Sequence, residues 1–357
     1  MDSSPLISVI MSVYNEEAFI YDAIKSILDQ TENDFEFLIV DDCSTDKTVE
    51  IIESFKDERI RLIRNDENLG LTKNLNKALK LAKGKFIARM DGDDISLPDR
   101  FKIQTKFLND HPDVMLISCN TSTFGEQILV SDIEGTPEEL ACTMLLRPVL
   151  AHPGFMFRRE LYSAHGFTYD EHFRSAQDYD LASRVIKQFK IGVTPEVLLL
   201  YRNHRGQVSQ NPSMKQTGFA DEVRKRMLED IGVRLSESEY NSYRKWAMES
   251  DADIKDYKVC KRILRRILSA SKELKDGAVL EKNISEVISY DPVILKKRLE
   301  KQYYKWILRT SGKKHLPALL GINPVEYVNI LKVASAMTRS KKTRQAIAHQ
   351  IQEAIRL

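Results

Sequence analysis

The strongest constraint in this chain lies in its first 120 residues. Short apolar runs alternate there with helical patterns, and the runs end on polar or acidic residues. Leu6 to Val13 is almost wholly apolar and predicts a buried strand. Ile20, Ile24, Ile27 and Leu28 follow at helical spacing. Phe35 to Val40 predicts a second strand, ending on Asp41 and Asp42, with Ser44 or Thr45 placed to cap a helix carrying Val49, Ile52 and Phe55. Ile60 to Ile63 is a third strand. Leu71, Leu75, Ala78, Leu79 and Ala82 form the next helical face, which Gly84 stops in a C-cap position. Phe86 to Met90 is a fourth strand, ending on Asp91. Pro98 suits a helix start with Phe101, Phe107 and Leu108 inward, and Val114 to Ser118 is a fifth strand. Alternation of this kind predicts an α/β fold, with a largely parallel sheet covered by helices on both faces. In such sheets ligands sit beyond the carboxyl ends of the strands. Three polar clusters fall there: Ser12 to Glu17, Asp41 to Asp46 and Asp91 to Asp94.

Beyond residue 120 the pattern changes. Residues 120–215 are less regular and richer in His, Pro, Arg and Gly, with a helical pattern at Leu181, Val185 and Phe189 and a strand from Val197 to Tyr201. From about residue 216 the pattern is helical almost throughout. A length of 357 residues, at roughly 100–200 per domain, predicts two domains, and we place them at 1–215 and 216–357, joined in the polar stretch 206–218. Charge divides in a similar way. Residues 1–250 carry 31 Lys+Arg against 41 Asp+Glu, a balance of −10, whereas residues 251–357 carry 23 against 11, a balance of +12.

Composition also excludes several classes. With 42% hydrophobic residues the chain is not a disordered one. No apolar run approaches the ~18–20 residues that span a bilayer, and no basic segment followed by an apolar stretch marks a signal peptide. The four cysteines, Cys43, Cys119, Cys142 and Cys260, show no metal-ligand spacing and read as reduced thiols of a cytoplasmic protein.

The carboxylates carry the chemistry. Asp91, Asp93 and Asp94 repel one another unless a cation is present, and a hard divalent ion bound together with substrate phosphate oxygens answers that repulsion. An acidic, solvated turn is the other reading of the same residues. Asp42 can accept a hydrogen bond from a nucleobase N–H, while Ser44, Thr45 or Asp46 can simply cap a helix. Tyr14 can stack on a base beside Ser12.

Taken together, "ISVIMSVYNEEAFI", "FEFLIVDDCSTDKT", "NLGLTKNLNKALKLAKGKFIARMDGDD" and "LPDRF", in that order and spacing, resemble the family-two glycosyltransferases of the GT-A fold over residues 6–205. The resemblance implies a nucleotide-diphospho-sugar donor, a divalent metal (Mn²⁺ or Mg²⁺) and inversion at the anomeric carbon. It implies that Asp42 binds the base, usually uracil, and that Ser12, Tyr14 and Glu16 line the donor site. Asp93 is then the direct metal contact, Asp91 the contact to donor sugar or ribose, and Asp94 a support behind them. "SAQDYDLASRV" resembles the acidic segment that opens a helix and supplies the catalytic base, Asp178. The usual Glu-Asp pair is Gln177-Asp178 here, and Asp180 is a rival one step into the helix. "LYRNHRGQVS" resembles a segment that closes over the nucleotide, so His204 would complete the metal shell or contact the pyrophosphate, and Arg202 or Arg205 would meet phosphate. His152 falls where members line the acceptor side. The Gln-x-x-Arg-Trp signature of processive polysaccharide synthases is missing.

The expected activity is transfer of a sugar, from UDP in the first instance, to a hydroxyl of a glycan or lipid-linked acceptor in surface polysaccharide synthesis. Two rivals are a nucleotidyltransferase making an activated sugar and a non-catalytic sugar-nucleotide-binding protein. The first would open with a Gly-rich loop and Arg where this chain has "SVYNEE"; the second would not need Asp93 and Asp178 together. In residues 251–357, Tyr303, Tyr304 and Trp306 stand among cations. This suits contact with the inner face of the plasma membrane, or packing on the catalytic domain or a second copy of the chain. No motif supports a nucleic-acid partner.

Overall fold

A computed structural model of the chain describes residues 4–125, 129–203, 214–248 and 254–275. Its sheet has eight strands: β1 (Ile7–Val13), β2 (Phe35–Asp41), β3 (Ile60–Arg64), β4 (Phe86–Asp91), β5 (Ile95–Ser96), β6 (Val114–Gly125), β7 (Met156–Arg158) and β8 (Lys190–Asn203), in the order β3-β2-β1-β4-β7-β6-β8-β5. Pairs β3-β2, β2-β1, β1-β4 and β6-β8 are parallel, whereas β7 and β5 pair antiparallel with their neighbours. The helices of this part are α1 (Ile20–Leu28), α2 (Thr48–Ser54), α3 (Leu71–Leu81), α4 (Arg100–Asp110), α5 (Pro137–Met144), α6 (Glu160–Ser163) and α7 (Gln177–Val185). Three more follow: α8 (Met214–Asp230), α9 (Glu237–Ala247) and α10 (Ile254–Lys275).

The central strands are apolar on both faces because helices cover both. Val9, Met11, Phe37, Ile39, Ala88 and Met90 are fully buried, each large side chain adding about 1.5–3 kcal/mol relative to exposure. Ile20, Ala23, Ile24 and Ile27 turn one face of α1 into the same core. Parallel register sets the level of the strand ends. Val13 lies opposite Asp41, and Ser12 lies opposite Asp91, so the three polar clusters emerge side by side.

Several elements differ from the sequence reading. β8 starts at Lys190, seven residues before the expected strand, and runs beside a β6 that continues past Ser118 to Gly125. Gly192 and Pro195 disguise it. Pro195 is accommodated where the register of β6 and β8 slips near Asn120, whose side chain donates to the Pro195 carbonyl at 3.1 Å. β5, β7 and α6 are too short to leave a periodic signal. Neither Ser44 nor Thr45 caps α2. The helix begins at Thr48, Asp46 accepts from the Thr48 N–H at 2.9 Å, and Ser44 is used by the neighbouring loop. Gly84 does not close α3, which ends at Ala82. It is required by close approach, since a Cβ there would lie 2.4 Å from the Ser8 nitrogen.

The described residues form two compact units. Residues 4–125, 129–141, 148–203 and 214–223 make the first; residues 142–147, 224–248 and 254–275 make the second. The expected junction at 206–218 lies largely outside the described residues, as does everything after residue 275. In the second unit α9 opens with a capping box between Ser236 and Glu239. Tyr243 and Trp246 are buried with Cys260, Ile263 and Ile267 of α10, and Asp256 takes Ser242 Oγ and Lys245 Nζ, both at 2.6 Å.

Candidate active site

The loops after β1 and β2 are stitched together. Asn15 sits at φ 56°. It is held there because its N–H donates to Ser44 Oγ at 3.0 Å and its side-chain oxygen accepts from the Thr45 N–H at 2.8 Å. The Glu16 N–H donates to Thr48 Oγ1 at 2.7 Å, and the Glu17 N–H to Asp46 at 3.1 Å. Tyr14 is left half exposed on this rim, while Ser12 Oγ accepts from Asn74 Nδ2 at 3.0 Å.

Asp42 is buried, and its carboxylate organises the turn into α3. One oxygen accepts from Asn65 Nδ2 at 2.9 Å and from the Leu69 N–H at 2.8 Å; the other accepts from the Gly70 N–H at 2.9 Å. Burial pushes its pKa up, but these donors and the Asn74 side chain outweigh it and hold the group below the usual carboxylate range. Gly70, at φ 85°, supplies the conformation that aims its N–H at Asp42.

The acidic cluster closes β4. Gly92 lets the chain pass the β1 loop, since a Cβ would meet Val13 Cγ1 at 3.0 Å and Glu16 Cγ at 3.3 Å. The carboxylates of Asp91, Asp93 and Asp94 each offer an oxygen, and these oxygens lie within 4.8 Å of one another. Asp94 is fully buried. One of its oxygens accepts from the Arg202 N–H at 2.8 Å, and the other has no hydrogen-bond partner among the described residues. Burial, then the charges of Asp91 and Asp93, hold Asp94 well above the ordinary carboxylate range. Burial and the charges of Asp93, Asp91 and Asp46 push Glu16 up to about 8. An all-carboxylate donor set with one orphaned buried oxygen fits a hard divalent ion such as Mg²⁺ or Mn²⁺.

Under the cluster lies a residue that the sequence reading passed over. Arg89 is 2% exposed, and its two terminal nitrogens grip both oxygens of Asp91. Burial still raises Asp91 above its ordinary value, with Arg89 opposing. The signal was available: a cation inside an apolar strand, two residues before an aspartate, shares that aspartate's side of the strand.

Asp178 stands in the first turn of α7, behind Ala176 at φ 57°. Burial raises its carboxyl above the usual value, opposed by the Tyr179 N–H and by the Arg89 cation. Its charge reaches both Asp91 and Tyr169. The rival Asp180 points into the core, fully buried and ion-paired to Arg184 at 2.7 Å. His152 is buried, with Nε2 3.0 Å from the Tyr169 hydroxyl; burial, then Arg89, holds its pKa well below the usual value.

Arg202 packs against the acidic turn. Its guanidinium lies 4.7 Å from the ring centre of Phe19 and 4.6 Å from that of Phe124, and its Nε donates to the Asp93 carbonyl at 2.7 Å. It therefore braces the backbone of the acidic turn. His204 and Arg205 lie outside the described residues.

Comparison with known proteins gives the family and the fold. The model of the family "Glycosyl transferase family 2" matches residues 8–166. An uncharacterized glycosyltransferase of Haemophilus influenzae is 31% identical over 252 residues, 66% of this chain and 78% of its own. The UDP-Glc:alpha-D-GlcNAc-diphosphoundecaprenol beta-1,3-glucosyltransferase WfaP of Escherichia coli is 30% identical over 232 residues, 64% of this chain and 88% of its own. Among solved structures, TarS of S. aureus (1–349, with UDP-GlcNAc) matches with a TM-score of 0.55 at 19% identity, over 90% of this chain and 91% of that one. Mannosyltransferase PcManGT of Pyrobaculum calidifontis, with GDP-Man and Mn2+, gives 0.51 at 17% identity, over 99% and 87%. The structural likenesses speak for a GT-A fold, and the sequence relatives speak for the activity class. The chain belongs to glycosyltransferase family 2.

Proposed function

We propose that this glycosyltransferase is an inverting, metal-dependent enzyme. It moves a sugar from a UDP-sugar to a hydroxyl of a glycan or lipid-linked acceptor during surface polysaccharide synthesis. The observation that carries the reading is the meeting, at the carboxyl ends of β1, β2 and β4, of the Asp91–Asp93–Asp94 cluster with the charge of the half-buried Asp178. The names of WfaP and of the TarS complex support a UDP donor, and that of WfaP supports a lipid-linked acceptor. Residues 1–215 form the catalytic domain in this reading, and 216–357 a basic helical domain that meets the membrane surface or a second copy. Among the described residues no helix is long and apolar enough to cross a membrane.

A divalent ion held by Asp93, with Asp94 behind it, would offset the charge that grows on the departing nucleoside diphosphate. The protein's own groups do the rest. Asp42 fixes the loop beside the base, and the exposed ring of Tyr14 offers it a stacking surface. Asp178 takes the proton from the acceptor hydroxyl as its oxygen bonds to the anomeric carbon. The bond from that carbon to the diphosphate oxygen breaks, and its electron pair leaves with the nucleotide. General-base assistance of this kind contributes about 10²–10⁴-fold, and the raised pKa of Asp178 makes it a better proton acceptor than an exposed aspartate.

Asp178→Asn is the test. Transfer should fall by about 10²–10⁴-fold, while a thermal-shift titration with UDP-sugar and Mn²⁺ still reports donor binding. Turnover near that of the unaltered enzyme would sink the assignment.

A further inference from the structure

The basic residues of the second unit are not distributed evenly. On α10, Lys255, Lys258, Arg262 and Arg265 are all exposed, and at 3.6 residues per turn they fall within an arc of about 80°. The opposite face carries Cys260, Ile263, Leu264 and Ile267, which are buried. Among the described residues none of the four cations forms an ion pair or hydrogen bond through its side chain. Their neighbours do pair: Arg266 with Glu239 at 3.0 Å, Lys245 with Asp256 at 2.6 Å, and Lys225 with Glu237 at 3.0 Å. The acid between Lys255 and Ser269, Asp256, is buried away from the stripe and paired with Lys245. A band of unpaired cations of this kind is complementary in charge to an anionic surface. The four positions form a band that extends about 15 Å along the helix axis, at 1.5 Å per residue. A band of that kind matches the plane of phosphates at a bilayer surface. The sequence beyond α10 keeps the same chemistry, with Tyr303, Tyr304 and Trp306 set among lysines and arginines.

We infer that the Lys255–Lys258–Arg262–Arg265 face of α10 docks the enzyme on the anionic phospholipid surface of a membrane. This deepens the reading of a lipid-linked acceptor and rests on it for its purpose, since docking would hold the active site at the surface where such an acceptor lies. The binding itself requires neither donor nor metal.

The test is flotation of the full chain with phosphatidylglycerol–phosphatidylcholine vesicles. The protein should float with these vesicles at low salt, and neither with pure phosphatidylcholine nor at about 0.5 M salt, where screening is strong. The triple variant Lys258→Gln, Arg262→Gln, Arg265→Gln should lower partitioning roughly a hundredfold, since each basic residue near an anionic leaflet contributes about a factor of five. Its helical circular dichroism, and its donor hydrolysis measured without vesicles, should match those of the unaltered chain. Equal binding to neutral vesicles, no vesicle binding, or full binding by the triple variant would overturn the inference. So would retention on homopolymer RNA without retention on vesicles. Donor hydrolysis by the unaltered chain reports separately on the catalytic reading, so failure of one is told from failure of the other.

Discussion

A single cation sets the electrostatics of the site. Arg89 pairs with Asp91, opposes the rise in the pKa of Asp178, and adds to the burial that holds the pKa of His152 well below its usual value. Arg89→Met would leave Asp91 partly buried without its counter-charge. Breaking a buried pair costs about 3–5 kcal/mol; because Asp91 is 28% exposed, we expect the low end, read as a lower urea midpoint, with Arg89→Lys recovering part of it. Glu16 shows the converse. Its pKa in the folded chain is about 8, against about 4.3 in an unfolded one. A carboxyl raised on folding stabilises fully below its unfolded value, and that contribution is lost as pH rises through its folded value. The unliganded protein should therefore lose stability between about pH 4.5 and 8. Glu16→Gln should flatten that slope in urea titrations across this range. An unchanged slope would remove Glu16 as its source. At this scale the sequence was informative where chemistry is concentrated. Three aspartates in four residues announce themselves, whereas Arg89 is hidden inside a strand whose other residues read as core. Asn15, Asn65 and Asn74 were hidden for another reason: their work depends on partners 9 to 62 residues away.

Elements were legible in proportion to their regularity: β6 and β8, the longest strands, were read only in part because their register slips near Asn120 and Pro195 interrupts the pattern. β1, β2 and β4 are buried on both sides, so each appears as a mostly apolar run, and the helices between them show their inward faces. β7 and β5, at three and two residues, are made by tertiary pairing alone. Gly84 illustrates how an element boundary can have the right residue for another reason. It reads as a helix stop, but the structure uses it where β4 begins against the backbone of β1. Gly84→Ala should then destabilise the fold by about 1–3 kcal/mol through overpacking. Donor affinity of the folded protein should be preserved, because Gly84 lies at the end of the sheet opposite to the site. A calorimetric scan with and without UDP and Mn²⁺ would show both effects, and a stability equal to that of the unaltered chain would refute the close-approach account.

At the scale of the whole molecule, the charge asymmetry of the sequence acquires two separate causes. Part of the −10 of residues 1–250 is the acidic site itself, built on elements of the first unit from β1 to β8. Part of the +12 of residues 251–357 is the unpaired stripe of α10, in the second unit. If the site residues named here are the donor site, ligand binding should be felt where those residues are. A ligand at one hundred times its Kd adds about 2.7 kcal/mol to the state that binds it. Amide hydrogen exchange with UDP and Mn²⁺ should accordingly slow in β1, β2, β4 and the first turn of α7, which carry Ser12, Asp41, Asp91 and Asp178. The amides of α9 and α10 should exchange as before. Protection that appeared first in α10 would move the nucleotide to the basic unit and detach it from the aspartates. Protection confined to the strand ends would tie the acidic half of the charge pattern to the donor, leaving the basic half to whatever surface α10 meets.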